Sequence, residues 1–124
     1  MNKRSNKSGV IILSHGSRLK KANKDLDKVV KDVKSKTGLK MVMPAYLQFC
    51  QPDLTKSIKN LVLKGCRKII IMPFFLFNGN HVTKDIPAII KEERVKSPDV
   101  DFVLKKSLSR DERLSDIVSE IILS

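Results

Sequence analysis

The chain has 124 residues, of which 41% are apolar and 31% are charged. This length and balance indicate one folded domain and exclude both a two-domain protein and a disordered chain. The 25 basic residues outnumber the 13 acidic ones and give a formal net charge of +12, which favours an anionic partner. No apolar run approaches the roughly 20 residues that cross a bilayer, and no signal peptide is recognisable. We therefore expect a cytoplasmic protein with no membrane partner.

The first half of the chain alternates strand and helix patterns. Residues 1–8 are basic and polar, and we expect them to form a disordered tail ahead of a single domain over residues 9–124. The apolar run from Gly9 to Ser14 predicts the first strand, and a second strand is expected at about 40–49. The helix between them should cover about 18–35, because apolar residues recur at helical spacing at Leu19, Ala22, Leu26, Val29, Val30 and Val33. Pro52 is expected in the first turn of the second helix, where its missing N–H costs nothing.

The second half repeats this alternation. A nearly continuous apolar run from Lys68 to Pro73 predicts a third strand that is covered on both faces. The third helix should begin near 83–85, with Pro87 in its first turn. After a fourth strand at 99–104, Ser109 and Glu112 match a capping box for a last helix. Leu114, Ile117, Val118 and Ile121 complete that helix, and an exposed apolar helix face would be the place to look for a dimer contact.

Alternating strands and helices predict an α/β fold: a single doubly wound domain whose four-stranded parallel sheet has helices on both faces. For four strands, the order 2-1-3-4 follows, with strands one and three as neighbours. Ligands of such sheets bind in the crevice between the carboxyl ends of those two strands. His15 follows strand one and His81 follows strand three, and the chain has no other histidine. The topology therefore predicts that both imidazoles belong to one site.

The residues of these loops suggest a chemistry. Neutral imidazole binds cobalt, nickel, iron or zinc, and its ordinary pKa of about 6.5 suits proton transfer at neutral pH. A site of two histidines without thiolate or carboxylate partners should hold a metal loosely, which suits a metal that is passed on. Ser14, Gly16 and Ser17 form a polar turn that can bind an anion through backbone N–H groups, although a purely structural turn explains it equally well.

An aromatic run and two cysteines complete the candidate features. Residues 74–77 are Phe-Phe-Leu-Phe, and the alternation of a strand cannot bury all four side chains. Some of them should line the crevice and form a pocket for a flat, apolar, polyanionic molecule. Cys50 and Cys66 lack the spacing of a metal site and are interpreted as reduced thiols, with a disulfide left open.

Several segments closely resemble the small CbiX-type sirohydrochlorin cobaltochelatases, which belong to the class II tetrapyrrole chelatases. They are Ser-His-Gly-Ser-Arg at 14–18, the segment ending in Gln51-Pro52, the run at 73–87 and the junction at 107–114. The resemblance covers essentially the whole chain after Ser8. It implies insertion of Co²⁺, or alternatively Ni²⁺ or Fe²⁺, into sirohydrochlorin without ATP or a tightly bound cofactor, as a step of cobalamin synthesis. It also implies a homodimer with the active site near the subunit interface.

The resemblance assigns roles to individual residues. His15 would be a metal ligand and the acceptor of a pyrrole proton, and His81 the second metal ligand. The macrocycle would contact Leu76, Phe77, Asn78, Gly79, Asn80 and His81, together with Ser14, Gly16, Ser17, Gln48 and Gln51. Relatives commonly carry glutamate where this chain has Gln48 and Gln51, and an amide cannot accept a proton as a carboxylate does. Sirohydrochlorin carries eight carboxylates, which agrees with the positive charge of the chain.

Two other classes of protein remain as alternatives. A non-enzymatic flavodoxin-like module could bind a flavin or phosphate in the same crevice, but it leaves His81 and the aromatic run unexplained. A nucleic-acid-binding domain would explain the net charge. However, the lysines are scattered over several helices and only 5% of residues are aromatic, so we expect no specific nucleic-acid partner.

Overall fold

The computed structural model describes residues 7–76 and 79–124, except for the side chains at positions 80–83. The elements in chain order are β1 (Ser8–Ser14), α1 (Lys20–Thr37), β2 (Met41–Tyr46), α2 (Leu54–Leu63), β3 (Lys68–Pro73), α3 (Asn80–Lys96), β4 (Asp101–Leu104) and α4 (Arg113–Leu123), with a short 3-10 turn at Leu108–Arg110. No helix within these described ranges is long and apolar enough to cross a membrane.

The four strands form one parallel sheet in the order β2-β1-β3-β4, which confirms the predicted topology. Strands β1 and β3 are central and adjacent, with Ile11 opposite Ile71. The carboxyl ends of β1, β2 and β3 therefore lie side by side at one edge of the sheet. This edge is where the chain turns into α1, α2 and α3.

Each face of the sheet has its own hydrophobic core. Helices α2 and α3 cover one face and bury Ile11, Leu13, Ile69, Ile71, Leu54, Ile58, Leu61, Ile86 and Ile90. Helix α1 covers the other face over β1 and β2, where Leu26 and Val30 pack with Val10 and Ile12. Leu19 and Ala22, which the helical stripe had included, are exposed instead; Leu19 is the N-cap and precedes the first residue of α1.

The amino-terminal boundary differs from the prediction. Strand β1 begins at Ser8, and the carbonyl of Lys7 accepts a hydrogen bond from the Arg67 backbone N–H at 2.8 Å. The Lys7 ammonium also donates to the carbonyl of Lys64 at 2.9 Å. Positions 7 and 8 of the expected tail thus belong to the fold, and residues 1–6 lie outside the described residues.

Both proline placements were wrong. Asp53 caps α2 by accepting a hydrogen bond from the backbone N–H of Lys56 at 2.8 Å, so the helix begins after Pro52. Pro52 instead supplies a carbonyl that accepts from the Tyr46 N–H at 2.9 Å, which ties the loop to the end of β2. Helix α3 begins at Asn80, so Pro87 lies beyond its first turn, on the exposed face of the helix.

The last helix forms, but its predicted cap was wrong. Glu112 is at the N-cap without a side-chain hydrogen bond, and the Ser109 hydroxyl bonds that of Ser107 at 3.1 Å. Asp111 competes for the role, because its carboxylate accepts from the Arg113 backbone N–H at 2.9 Å. The apolar residues Ile117, Val118 and Ile121 of α4 are 52%, 49% and 69% exposed. Within the described residues, α4 makes no extensive contact with any strand or other helix.

Candidate active site

The candidate site lies at the carboxyl edge of the sheet, between the loops that follow β1, β2 and β3. These loops cover residues 15–19, 47–53 and 74–79. We call the space between them the crevice. It sits at the topological switch point, because the chain leaves β1 and β3 toward opposite edges of the sheet.

His15 presents its side chain at this edge. The residue is exposed, and its ring centroid lies 4.5 Å from that of Phe75 at an interplanar angle of 35°. Phe75 is itself half-buried against the core, so the imidazole rests on a fixed apolar support. The carbonyl of His15 accepts a hydrogen bond from the Gln48 N–H at 3.0 Å. Backbone and ring are therefore both held, while the side chain stays open to solvent.

Gly16 makes possible the close approach of the first two loops. Its φ is +86°, and a Cβ added there would overlap the carbonyl oxygen of Gln48. The Leu47 N–H donates to the Ser14 carbonyl at 2.9 Å, and the Ser14 hydroxyl accepts from the Gly16 N–H at 3.5 Å. Only glycine combines this φ with this proximity, so the turn has a definite structural role.

A polar network that the sequence did not reveal fixes Ser17. The Asn23 side chain accepts from the Ser17 N–H at 3.1 Å and donates to its carbonyl at 2.7 Å. The Cys50 thiol donates to the same carbonyl at 3.1 Å, and Asn23 donates to the thiol at 2.8 Å. Asn23 is a single amide within a lysine-rich helix, and no local pattern distinguishes it. Both cysteines are free thiols, as interpreted from their spacing.

Gln48 and Gln51, which the family resemblance assigned to the substrate site, lie in the loop after β2. Gln48 and Gln51 are both exposed. The Gln51 side-chain oxygen accepts from the Asp53 N–H at 3.2 Å, so it helps shape the entry to α2. The side chain of Tyr46 is buried beneath this loop, where its hydroxyl donates to the Asn23 carbonyl at 3.3 Å. That burial, reinforced by the nearby charge of Asp27, raises the pKa of the Tyr46 hydroxyl.

The third loop is only partly described. Phe74 and Phe75 are half-buried, and the Phe74 N–H donates to the Leu13 carbonyl at 2.7 Å. Leu76 is 49% exposed, and Gly79 precedes α3. Phe77 and Asn78 lie outside the described residues, as do the side chains of Asn80 and His81. His81 belongs by its backbone to the first turn of α3, after β3. Its convergence with His15 at one metal stays a prediction.

Two further residues at the crevice were missed by the sequence reasoning. The Arg18 guanidinium carbon lies 4.7 Å from the ring centroid of Phe49. Phe49 is 55% exposed and has a φ of +67°, which is unusual for a bulky residue. The family-like segment at 14–18 contains Arg18, but nothing in the sequence indicates that Phe49 approaches it.

The described residues contain neither a ready metal cluster nor an enclosed cavity. No cluster of three or more histidine, cysteine, aspartate or glutamate residues occurs in that part of the chain. Among the described residues, open cavities of about 650, 460 and 230 Å³ lie around α4, its preceding turn and the end of β4. Leu108, Leu114 and Ile117 line the smallest of them. The two smaller cavities are grooves beside α4.

Comparisons with known proteins agree on one family. The CbiX family model matches residues 9–123. A chloroplast sirohydrochlorin ferrochelatase from Arabidopsis thaliana is 32% identical over 92% of this chain and 51% of the plant protein. A sirohydrochlorin cobaltochelatase from Methanococcus aeolicus is 28% identical over 88% of this chain and 93% of that protein.

Solved structures show the same fold. A CbiX protein from Marinobacter aquaeolei has a TM-score of 0.79 at 22% identity, covering 93% of both chains. The sirohydrochlorin chelatase SirB from Bacillus subtilis subspecies spizizenii, in complex with cobalt, has a TM-score of 0.83 at 22% identity. That alignment covers 94% of this chain and 50% of SirB. The chain therefore spans about half the length of the plant and Bacillus proteins.

Proposed function

The chain belongs to the CbiX family, and from that premise we propose that it inserts a divalent metal ion into sirohydrochlorin without ATP, as a step of cobalamin biosynthesis. The observation that carries the proposal is the exposed His15 imidazole on its Phe75 support, at the crevice where this topology binds ligands. The named chelatases among its relatives support the same reaction.

His15 is the proton acceptor of the proposed mechanism. Metal insertion requires the loss of two pyrrole N–H protons from the macrocycle, and a neutral imidazole is a suitable base at neutral pH. The Phe75 ring restricts where the imidazole lies, and the hydrogen bond from Gln48 fixes the backbone of His15. Such positioning keeps the base at one place above the incoming ring.

His15 and His81 together deliver the metal substrate. Two neutral imidazoles bind late first-row divalent ions but leave several coordination positions for solvent or pyrrole nitrogen. Weak ligation is an advantage here, because the ion must leave the protein for the macrocycle. His81 contributes from the first turn of α3, and Leu76 to Asn80 together with Ser14, Gly16 and Ser17 surround the substrate.

Gln48 and Gln51 alter the mechanism relative to a site with glutamates. Their amides can accept hydrogen bonds from pyrrole N–H groups but cannot remove the protons. Gln51 is already engaged with the N–H of Asp53. A neutral imidazole has one basic nitrogen, so His15 accepts a pyrrole proton after the metal ion has passed from that nitrogen to the macrocycle, and the second proton leaves to solvent.

Cobalt is the metal we propose, with iron and nickel as alternatives. The Methanococcus relative is a cobaltochelatase and aligns over nearly its whole length. The plant relative, more similar in sequence, is a ferrochelatase, and this specifically favours iron as the second candidate. Imidazole ligation alone does not separate these metals.

The active form is a homodimer in which α4 packs against a second copy. An apolar helix face as exposed as that of Ile117, Val118 and Ile121 is unusual in a monomer. Two copies of this chain would also match the length of the plant and Bacillus proteins, of which it covers 51% and 50%.

The experiment that tests the chelatase is anaerobic spectrophotometry of sirohydrochlorin with Co²⁺, Fe²⁺ or Ni²⁺, using protein freed of any histidine tag. The wild-type protein should accelerate the change of the tetrapyrrole spectrum over buffer. His15→Ala should lower kcat by about 10²- to 10⁴-fold, the usual contribution of a general base. The His15→Ala, His81→Ala double variant contains no imidazole and should not exceed buffer.

Lys64→Ala, an exposed change at the opposite edge of the sheet, serves as the matched control and should keep the wild-type rate. A normal rate in His15→Ala would refute the role of His15 as base. No acceleration by wild-type protein with any of the three metals would refute the chelatase itself. A flavin or phosphate found bound in the purified protein would then favour the binding module.

A further inference from the structure

Arg18 and Phe49 form a pair that the proposed mechanism does not use. Arg18 belongs to the loop after β1, and Phe49 belongs to the loop after β2. The guanidinium carbon lies 4.7 Å from the ring centroid, within the range of a cation–π contact. Both residues are exposed, so the pair faces solvent on the side of the crevice where the loops after β1 and β2 meet.

The backbone of Phe49 is held in an unfavourable conformation. Its φ of +67° lies in the left-handed region, where a bulky side chain is rarely found. The residues on either side are fixed, since the Gln48 N–H donates to His15 and the Cys50 thiol donates to Ser17. Neighbouring contacts thus impose this conformation, and such imposed strain is characteristic of functional sites.

The chemistry of the pair suits a carboxylate. A guanidinium stacked on an aromatic ring still directs its N–H groups outward in its plane, where they can bind both oxygens of one carboxylate. Two other arginines already have such partners: Arg67 pairs with Asp99, and Arg113 pairs with Asp111. Among the described residues, no carboxylate pairs with Arg18.

We infer that Arg18, supported by the ring of Phe49, is a subsite that binds a peripheral carboxylate of the tetrapyrrole and so fixes how the macrocycle enters the crevice. The inference rests on the proposed function for the identity of the ligand. The subsite would accept any flat molecule whose edge carries carboxylates. The ring of Phe49 offers an apolar surface to the face of the macrocycle, and Arg18 binds a carboxylate at its rim.

The test compares Arg18→Gln with Arg67→Gln. The second variant makes the same change in charge at the opposite edge of the sheet, where an exposed ion pair contributes little. With sirohydrochlorin and Co²⁺, Arg18→Gln should raise KM about tenfold, as expected for a lost charged hydrogen bond, while kcat stays within about twofold. Arg67→Gln should leave both constants unchanged. An unchanged KM in Arg18→Gln, or a fall in kcat without a rise in KM, would overturn the subsite.

A binding measurement separates this inference from the chelatase proposal. Uroporphyrin III is a stable octacarboxylate macrocycle, and its fluorescence reports its affinity for the protein without any metal. Arg18→Gln should bind it about tenfold more weakly than Arg67→Gln does, and the difference should shrink at high salt. That result in a protein without chelatase activity would sustain the subsite and reject only the reaction. Equal affinities of the two variants would reject the subsite, whatever the activity.

Phe49 variants test whether the ring acts through Arg18. Phe49→Tyr keeps an aromatic platform and should bind uroporphyrin III normally, whereas Phe49→Leu should bind about threefold more weakly. Phe49→Gly removes both the ring and the conformational cost, so it should melt at an equal or higher temperature yet bind more weakly. A merely structural role for Phe49 predicts that affinity follows stability across the three variants, and that pattern would contradict the platform.

Discussion

Helices α2 and α4 carry similar apolar stripes but have opposite surroundings. In α2, Leu54, Ile58 and Leu61 are fully buried under the sheet. In α4, the equivalent stripe at Ile117 and Ile121 is mostly open to solvent. Strands β2 and β3 flank α2 along the chain and hold it against the sheet, whereas α4 makes no extensive contact with any strand among the described residues. Helical periodicity thus predicts which face of a helix is apolar, while the rest of the assembly decides what covers that face.

The largest expected effect tests this difference directly. Ile58→Ala should lower the free energy of unfolding by about 2–5 kcal/mol, because it opens a cavity in a closed core. Ile121→Ala should change it by less than about 0.5 kcal/mol at protein concentrations low enough to keep the chain monomeric. Urea denaturation of both variants gives the comparison.

Concentration then distinguishes a free helix from a dimer contact. If α4 packs on a second copy, the Tm of the wild-type protein should rise with protein concentration, and Ile121→Ala should weaken that dependence. An Ile121→Ala variant as destabilised as Ile58→Ala at high dilution would mean that α4 is buried within the monomer. That result would contradict the difference in burial between α2 and α4.

A second effect, of intermediate size, tests how firmly the loops after β1 and β2 are held together at the crevice. Gly16 and Gly38 both have positive φ, at +86° and +73°. The Cβ of an alanine at Gly38 would meet nothing within 4 Å. Gly38→Ala should therefore lower the free energy of unfolding only by the strain of a positive φ, about 1–2 kcal/mol. An alanine at Gly16 would also overlap the Gln48 carbonyl.

We therefore expect Gly16→Ala to lower the free energy of unfolding by about 1–3 kcal/mol more than Gly38→Ala does. This difference is the usual cost of forcing extra atoms into a packed site. Thermal or urea unfolding of the two variants measures the difference. Equal losses would show that the loops after β1 and β2 separate easily. The interlocking of the crevice edge would then be much weaker than the closed core under α2.

The sequence predicted those features that depend on patterns along the chain. Strand order followed from the alternation of elements, and the place of His15 followed from that order. The exposure of the apolar face of α4 could not be predicted, because it depends on elements that no local pattern specifies.

Features that need a specific partner elsewhere in the chain were missed. Asn23 meets Ser17 and Cys50 only because β1 and β2 pair, and Phe49 meets Arg18 for the same reason. The capping box failed where two local motifs competed, because Asp111 lies closer to the first turn of α4 than Ser109 does. His81 as the second metal ligand is still a prediction from topology and resemblance.

The smallest expected effect concerns the start of α4, which is fixed by its own ion pair. Hydrogen bonds from Arg113 hold the pKa of the Asp111 carboxyl at about 2, against an ordinary value of 3.8. Because the folded pKa is the lower one, the contribution of this pair to stability is complete above pH 3.8 and is lost as pH falls through about 2.

NMR should show the Asp111 carboxyl titrating near that value, with the amides of the first turn of α4 following it. The amides of α2 should show no step with this midpoint, because no part of that helix depends on the pair. Arg113→Gln should return the pKa of Asp111 toward 3.8; an ordinary midpoint in the wild-type protein would show that the pair does not persist in solution.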